Sequence, residues 1–161
     1  MLVVQDSVMI LKNDTVMGDD LMLMEISNLI TPEIYEVIYR MGHLDELVIA
    51  DANYSAAAMS KRVVYSYADK SHVLLAEILK YFPLDSDEEF PVTLMSLDQG
   101  IFEEPQVWSD YQDVLTGLSY TLNKLPRKEF YERTRNAYAT IQTLDPRVMT
   151  NIIIRKGFVF L

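Results

Sequence analysis

Two histidines, a few carboxylates, an amide and one arginine carry most of the chemical potential of this sequence. His43 follows Gly42 and precedes Asp45 and Glu46, and Asp51 ends the apolar run Leu47-Val48-Ile49-Ala50 just beyond it. An imidazole with an ordinary pKa near ~6.5 exchanges protons at neutral pH, and neighbouring carboxylates orient its ring and select its tautomer. General acid/base work is the chemistry these groups can perform. Residue types alone leave His43 open between that role and a structural one. His72, beside Ser71 at a helix start, reads as a surface or capping residue.

Asp51 stands past a strand end, where ligands gather in open α/β sheets, and a carboxylate there accepts two hydroxyls of a polyol. A turn or capping Asp occupies the same kind of position. Arg127 and Phe130-Tyr131-Glu132-Arg133 join cationic and aromatic groups on one helical stretch, a pattern that also describes a core aromatic flanked by a solvated ion pair. Asn151 can donate and accept towards a polyol, and Asn is equally a turn residue before a strand. No Gly-rich phosphate loop, paired-histidine metal spacing or nucleophile elbow is present, so neither a metal nor a cofactor is expected.

The elements that must position these groups follow from local pattern. Thr31-Pro32-Glu33 combines an N-cap, a proline at the first helical position and a carboxylate at the positive end of the dipole. Ile34, Val37, Ile38 and Met41 recur at helical spacing, and Gly42 offers a left-handed exit, which predicts a helix over 32–41. The run 47–50 reads as a strand buried on both faces. Further strands are expected at 62–67 and 91–95, helices at 73–81, 108–115 and 128–136, and β-like runs at 138–143 and 151–154. The regions around Gly100 and Pro105 and over 122–126 read as loops. Helices alternating with short buried strands indicate an α/β layered domain.

The 161 residues are half apolar, which suits one domain with a real core. Residues 1–24 hold five of the nine methionines without a clear period and read as an extension of unassigned role, leaving 25–161 as the single domain. The net charge of −10 repels phosphate backbones and argues against a nucleic-acid partner. No apolar run is long enough to span a bilayer, and the amino terminus lacks the pattern of a signal peptide. With no cysteine in the chain, a cytoplasmic protein is expected.

In order along the chain, these residues resemble the RbsD/FucU family of sugar pyranases and mutarotases. The stretch from Thr31-Pro32-Glu33-Ile34 through Met41-Gly42-His43-Leu44-Asp45-Glu46 to Ala50-Asp51-Ala52-Asn53 resembles that family's first helix, Met-Gly-His block and strand ending in Asp-Ala. Phe82-Pro83-Leu84-Asp85 is similar to its Leu-Asp helix exit, and Trp108 to Tyr111 to its Trp/Tyr-bearing helix. Arg127 to Arg133 resembles its Arg-x-x-Phe-Tyr-Glu-Arg, and Asn151 to Gly157 its Asn-Ile-apolar-apolar-Lys-Lys-Gly. The likeness runs from about residue 26 to residue 159.

The resemblance implies a three-layer α/β/α sandwich around a central, mostly parallel sheet. It implies cofactor-free interconversion of the anomers or ring forms of a free monosaccharide, L-fucose or a related aldose, with His43 as acid/base. Asp51, Arg127 and the trio Met149-Thr150-Asn151 would bind the sugar. It also implies ring-shaped homo-oligomers, commonly decamers, with sites at subunit boundaries. In this reading the imidazole at 43 faces the carboxylate at 51 across a polyol-sized hollow. Leu44, the loop Tyr54 to Ser60 and Met149 depart from the family's glycine, histidine-bearing loop and tyrosine. A non-catalytic sugar-binding or sensing protein on the same scaffold is the alternative, and an oligomeric interaction protein the third.

Overall fold

The computed structural model describes residues 25–159 except 88, 99, 101, 102, 119 and 121, so the extension assigned to 1–24 lies outside the described residues. Helix α1 (Pro32–Arg40) forms as its signals require: Thr31 accepts the Ile34 N–H at 3.3 Å, and Ile34, Val37 and Ile38 are buried. Strand β1 (Glu46–Ala50) follows, then the short α2 (Ala56–Met59), β2 (Val63–Tyr65), α3 (Ser71–Leu79) and β3 (Val92–Met95). The chain continues through α4 (Gln106–Leu115), β4 (Asn123–Leu125), α5 (Arg127–Asn136), β5 (Ala139–Gln142) and β6 (Ile152–Arg155).

The six strands form one sheet in the order β2-β5-β1-β6-β3-β4. Three of its five pairings are parallel, and β6 runs antiparallel to both β1 and β3. The unbroken apolar run of β1 conceals a period of two. Leu47 and Ile49 face a core shared with α1, α3 and α4, whereas Val48 and Ala50 face one built with α2 and α5 around Tyr54 and Phe130. Covering both faces explains why the strand carries no polar alternation. The three-layer α/β/α architecture is thus present. No helix among the described residues is long and apolar enough to cross a membrane.

Two local expectations are corrected. Residues 122–126, read as a loop, contain β4, whose partner is β3. As an edge strand of sequence Asn-Lys-Leu it is only half-buried, so it displays no apolar run. The left-handed residue after α1 is Leu44, with φ +72°, and not Gly42. A leucine in that region carries a strain of roughly 1–2 kcal/mol, and Leu44 is 53% exposed, so little packing depends on it. Leu44→Gly is expected to stabilise the fold by about 0.5–1 kcal/mol, once glycine's greater unfolded-state entropy is offset. Urea midpoints of the two proteins check this.

Candidate active site

Five of the six residues singled out lie along one edge of the sheet in the strand direction, the edge formed by the C-terminal ends of β1 and β4 and the N-terminal end of β6. Asp51 leaves the C-terminal end of β1, Asn151 enters the antiparallel β6 beside it, and Arg127 begins α5 directly after β4. Asn151 and Asp51 are bonded reciprocally. The amide Oδ1 accepts the Asp51 N–H at 3.0 Å, and the amide Nδ2 donates to Asp51 Oδ2 at 2.8 Å. Asp51 Oδ1 accepts the Asn53 N–H at 2.8 Å, and each oxygen retains acceptor capacity. Burial pushes the Asp51 carboxyl above its ordinary range, partly offset by the bonds from Asn53 and Asn151.

The trio 149–151 is pinned from behind. Trp108 Nε1 donates to the Met149 carbonyl at 3.1 Å, and Tyr111 Oη donates to the Thr150 carbonyl at 2.5 Å. Met149 takes φ +64°, and the Thr150 side chain is fully buried against Ser71. The Thr150 hydroxyl turns inward and helps to shape the turn. Nearby, Asp145 is buried, which alone would raise its pKa, but bonds from Arg147 and from the Ser71 N–H hold it at about 2. Arg147 also reaches Asp110 and His72, which places His72 in an ion-pair network on α3. Arg127 is half-exposed on the same sheet edge and pairs with Asp98 at 2.6 Å.

His43 is at the opposite edge. Five residues of β1 separate it from Asp51, which puts the two on the order of 20 Å apart at the rise of an extended chain. The facing arrangement expected from the sequence therefore does not form within one chain. The side chain of His43 is 27% exposed, its ring stacks on Phe158 with centroids 3.7 Å apart, and Nε2 lies 3.4 Å from Asp85 Oδ1. The described clefts, of roughly 400 to 600 Å³, have neither His43 nor Asp51 in their walls.

Three segments meet around His43. The Leu44 N–H donates to the Lys156 carbonyl, the Lys156 N–H to the Asp45 carbonyl, and the Asp85 N–H to the Arg155 carbonyl. Lys156 Nζ donates to the carbonyls of Ile38 and Met41 at 2.8 and 2.7 Å, so a buried cation satisfies the C-terminal end of α1 just before the histidine. Burial pushes this ammonium below its usual range, and Asp45 opposes that shift. Gly157 closes the clamp by donating its N–H to the Pro83 carbonyl at 2.8 Å. A Cβ at Gly157 would stand 2.4 Å from the Leu84 carbonyl oxygen. Backbone cannot yield as a flexible side chain does, so Gly157→Ala is expected to cost about 1–3 kcal/mol in thermal unfolding and to loosen His43 against Asp85.

Sequence reasoning assigned Asp85 and Phe158 no chemistry. Asp85 lies 42 residues from His43, a separation with no motif spacing to mark it. His43, Asp85 and Asp87 each offer an atom within 4.8 Å of the others, a grouping that no paired-histidine spacing announces.

The comparisons with known proteins agree with this architecture. The model of the RbsD / FucU transport protein family matches residues 24–159. The fucose mutarotase of Homo sapiens is 35% identical over 139 residues, covering 80% of this chain and 89% of that protein. The L-fucose mutarotase of Haemophilus influenzae is 32% identical over 139 residues, covering 84% of this chain and 96% of that protein. The crystal structure of the Streptococcus pneumoniae fucose mutarotase in complex with L-fucose superposes with a TM-score of 0.81 at 33% identity, covering 86% of this chain and all of that one. With the family model matched from residue 24 to residue 159, this chain belongs to the RbsD/FucU family.

Proposed function

We propose that this chain is a mutarotase that interconverts the anomers of a free aldose, with L-fucose the favoured substrate. The observation that carries this reading is an imidazole held at the sheet edge with part of its ring open to solvent, in a chain about one-third identical to fucose mutarotases over four fifths of its length. Mutarotation moves only protons: one leaves the anomeric hydroxyl, one reaches the ring oxygen, and the C–O bond opens to the aldehyde. Rotation and reclosure with the reverse transfers give the other anomer. His43 takes the acid/base part, while Asp51, Arg127, Asn151 and the Met149-Thr150 turn restrict the pose of the sugar.

Two half-sites at opposite edges of one sheet require a second copy. Head-to-tail contact brings the His43 edge of one subunit against the Asp51 edge of the next, and heterologous contacts of this kind close into rings. A homodecamer in the cytoplasm, with the sugar at each boundary, is the assembly this reading favours.

Saturation-transfer NMR across L-fucose, D-ribose and other aldoses tests the function. Faster exchange of one or more sugars supports it. Saturable binding without acceleration would favour a sensor instead. That second reading has its own support in the loop after β1, where Tyr54 turns its hydroxyl inward to Thr134 at 2.9 Å and presents no histidine.

A further inference from the structure

We infer that Arg147 is a positioning residue for the sugar-binding half of the site: its guanidinium locks the 143–151 loop so that Asp51 and Asn151 stay in register for the hydroxyls of the sugar. The inference rests on the mutarotase reading, in which that pair holds the substrate. Each guanidinium nitrogen of Arg147 is already engaged. Nε donates to Asp145 Oδ1 at 3.0 Å and one terminal nitrogen donates to Oδ2 at 2.8 Å, a two-pronged grip on a single carboxylate. That terminal nitrogen lies 3.3 Å from His72 Nδ1, and the other donates to Asp110 Oδ2 at 2.8 Å. One side chain thus joins the loop to the first turn of α3 and to the middle of α4.

The grip fixes Asp145, and Asp145 is bonded to both sides of the half-site. Its side chain is fully buried, with Oδ2 also accepting the Ser71 N–H at 2.8 Å. Its backbone carbonyl accepts the Ala52 N–H at 2.9 Å, one residue past Asp51. Its own N–H donates to Thr143 Oγ1, and that hydroxyl donates to the Ala50 carbonyl, one residue before Asp51. Asp51 is therefore flanked by two bonds that lead to Asp145. Further along the loop, Met149 takes φ +64°, a strained conformation for a residue with a side chain, and Asn151 then bonds both the N–H and the carboxylate of Asp51. Such strain persists only where the surroundings over-determine it, as the bonds from Trp108 and Tyr111 and the Arg147 clamp two residues earlier do here. A buried carboxylate deprived of its cation is costly, so without Arg147 the loop would turn Asp145 towards water and release Ala52 from its carbonyl. The pose of Asp51 would then be lost although none of the groups assigned to the sugar had changed.

The test measures anomer exchange by the intact assembly carrying Arg147→Met, which keeps much of the side-chain stem and removes the grip. Asp51 and Asn151 hold the sugar in the ground state and the transition state alike, so KM for L-fucose should rise about tenfold or more while kcat stays within about threefold. Hydrogen exchange gives a second readout that needs no sugar: the Ala52 amide should exchange about tenfold faster, with the Val48 amide of β1 as in the wild type. Arg147→Lys keeps the positive charge but cannot grip both oxygens, and should raise KM about threefold; it decides the matter if the methionine variant does not assemble. An unchanged KM in either assembled variant would overturn the inference, as would a fall in kcat at constant KM. Equal acceleration at Ala52 and Val48 would also overturn it, since the arginine would then stabilise the whole domain and not this loop. A wild-type protein that neither binds nor exchanges any aldose sinks the mutarotase reading instead, and the amide exchange still decides whether Arg147 holds the loop.

Discussion

His43→Ala is expected to slow anomer exchange by about 10²–10⁴-fold, the usual worth of one positioned acid/base group, while leaving the assembly folded. The reaction already proceeds in water, so the residual rate should approach the uncatalysed one. Loss of the ring removes a stacking contact with Phe158 and the hydrogen bond to Asp85. The carboxylate left behind makes a stability loss of about 1–3 kcal/mol reasonable. Saturation transfer gives the rate, and a thermal melt separates it from unfolding. A variant that exchanges L-fucose at the wild-type rate would remove His43 from the mechanism. A variant that binds the sugar as before but exchanges it slowly would separate the proton-transfer group from the hydroxyl-binding groups across the boundary.

The sequence made the scaffold readable where local signals coincide. Thr31-Pro32-Glu33 marks the start of α1 through capping, fixed φ and the dipole, and the structure has the helix there. The run 47–50 announces a buried strand because both faces are covered. Signals fail where pairing makes the element: β4 owes its existence to β3, and α2, at four residues, is too short to display a period. Helices α3 and α4 begin at Ser71 and Gln106, each two residues before the expected start at 73 and 108, because Ser71 in the first turn of α3 is a buried polar residue that continues no apolar pattern and Gln106 follows the N-cap Pro105. The sequence named candidate site residues without indicating their geometry. Eight positions with a five-residue strand between them already imply that His43 and Asp51 occupy opposite edges. Asp85 was invisible as a partner of His43 because long-range contacts through β6 bring it there.

Mixed assemblies of two inactive variants are expected to recover activity that neither shows alone. If the sugar sits between the His43 edge of one subunit and the Asp51 edge of the next, a His43→Ala chain still supplies a sound Asp51 edge. An Asp51→Asn chain still supplies a sound histidine. Random assembly in equal amounts leaves both halves intact at about one boundary in four, so roughly a quarter of the wild-type rate should return. A site contained within one chain would return none, since every chain carries a defect. Asp51 is bonded to Asn151 and nearly closed to solvent, so its substitution can disturb the fold. Arg127→Ala repeats the experiment with a half-exposed residue whose only described partner is the surface Asp98. Co-expression with two affinity tags and sequential purification ensures that only mixed rings are assayed. Recovery by both pairs would fix the polarity of the ring, because a back-to-back dimer would place like edges together and leave the histidine of each chain without a carboxylate across from it.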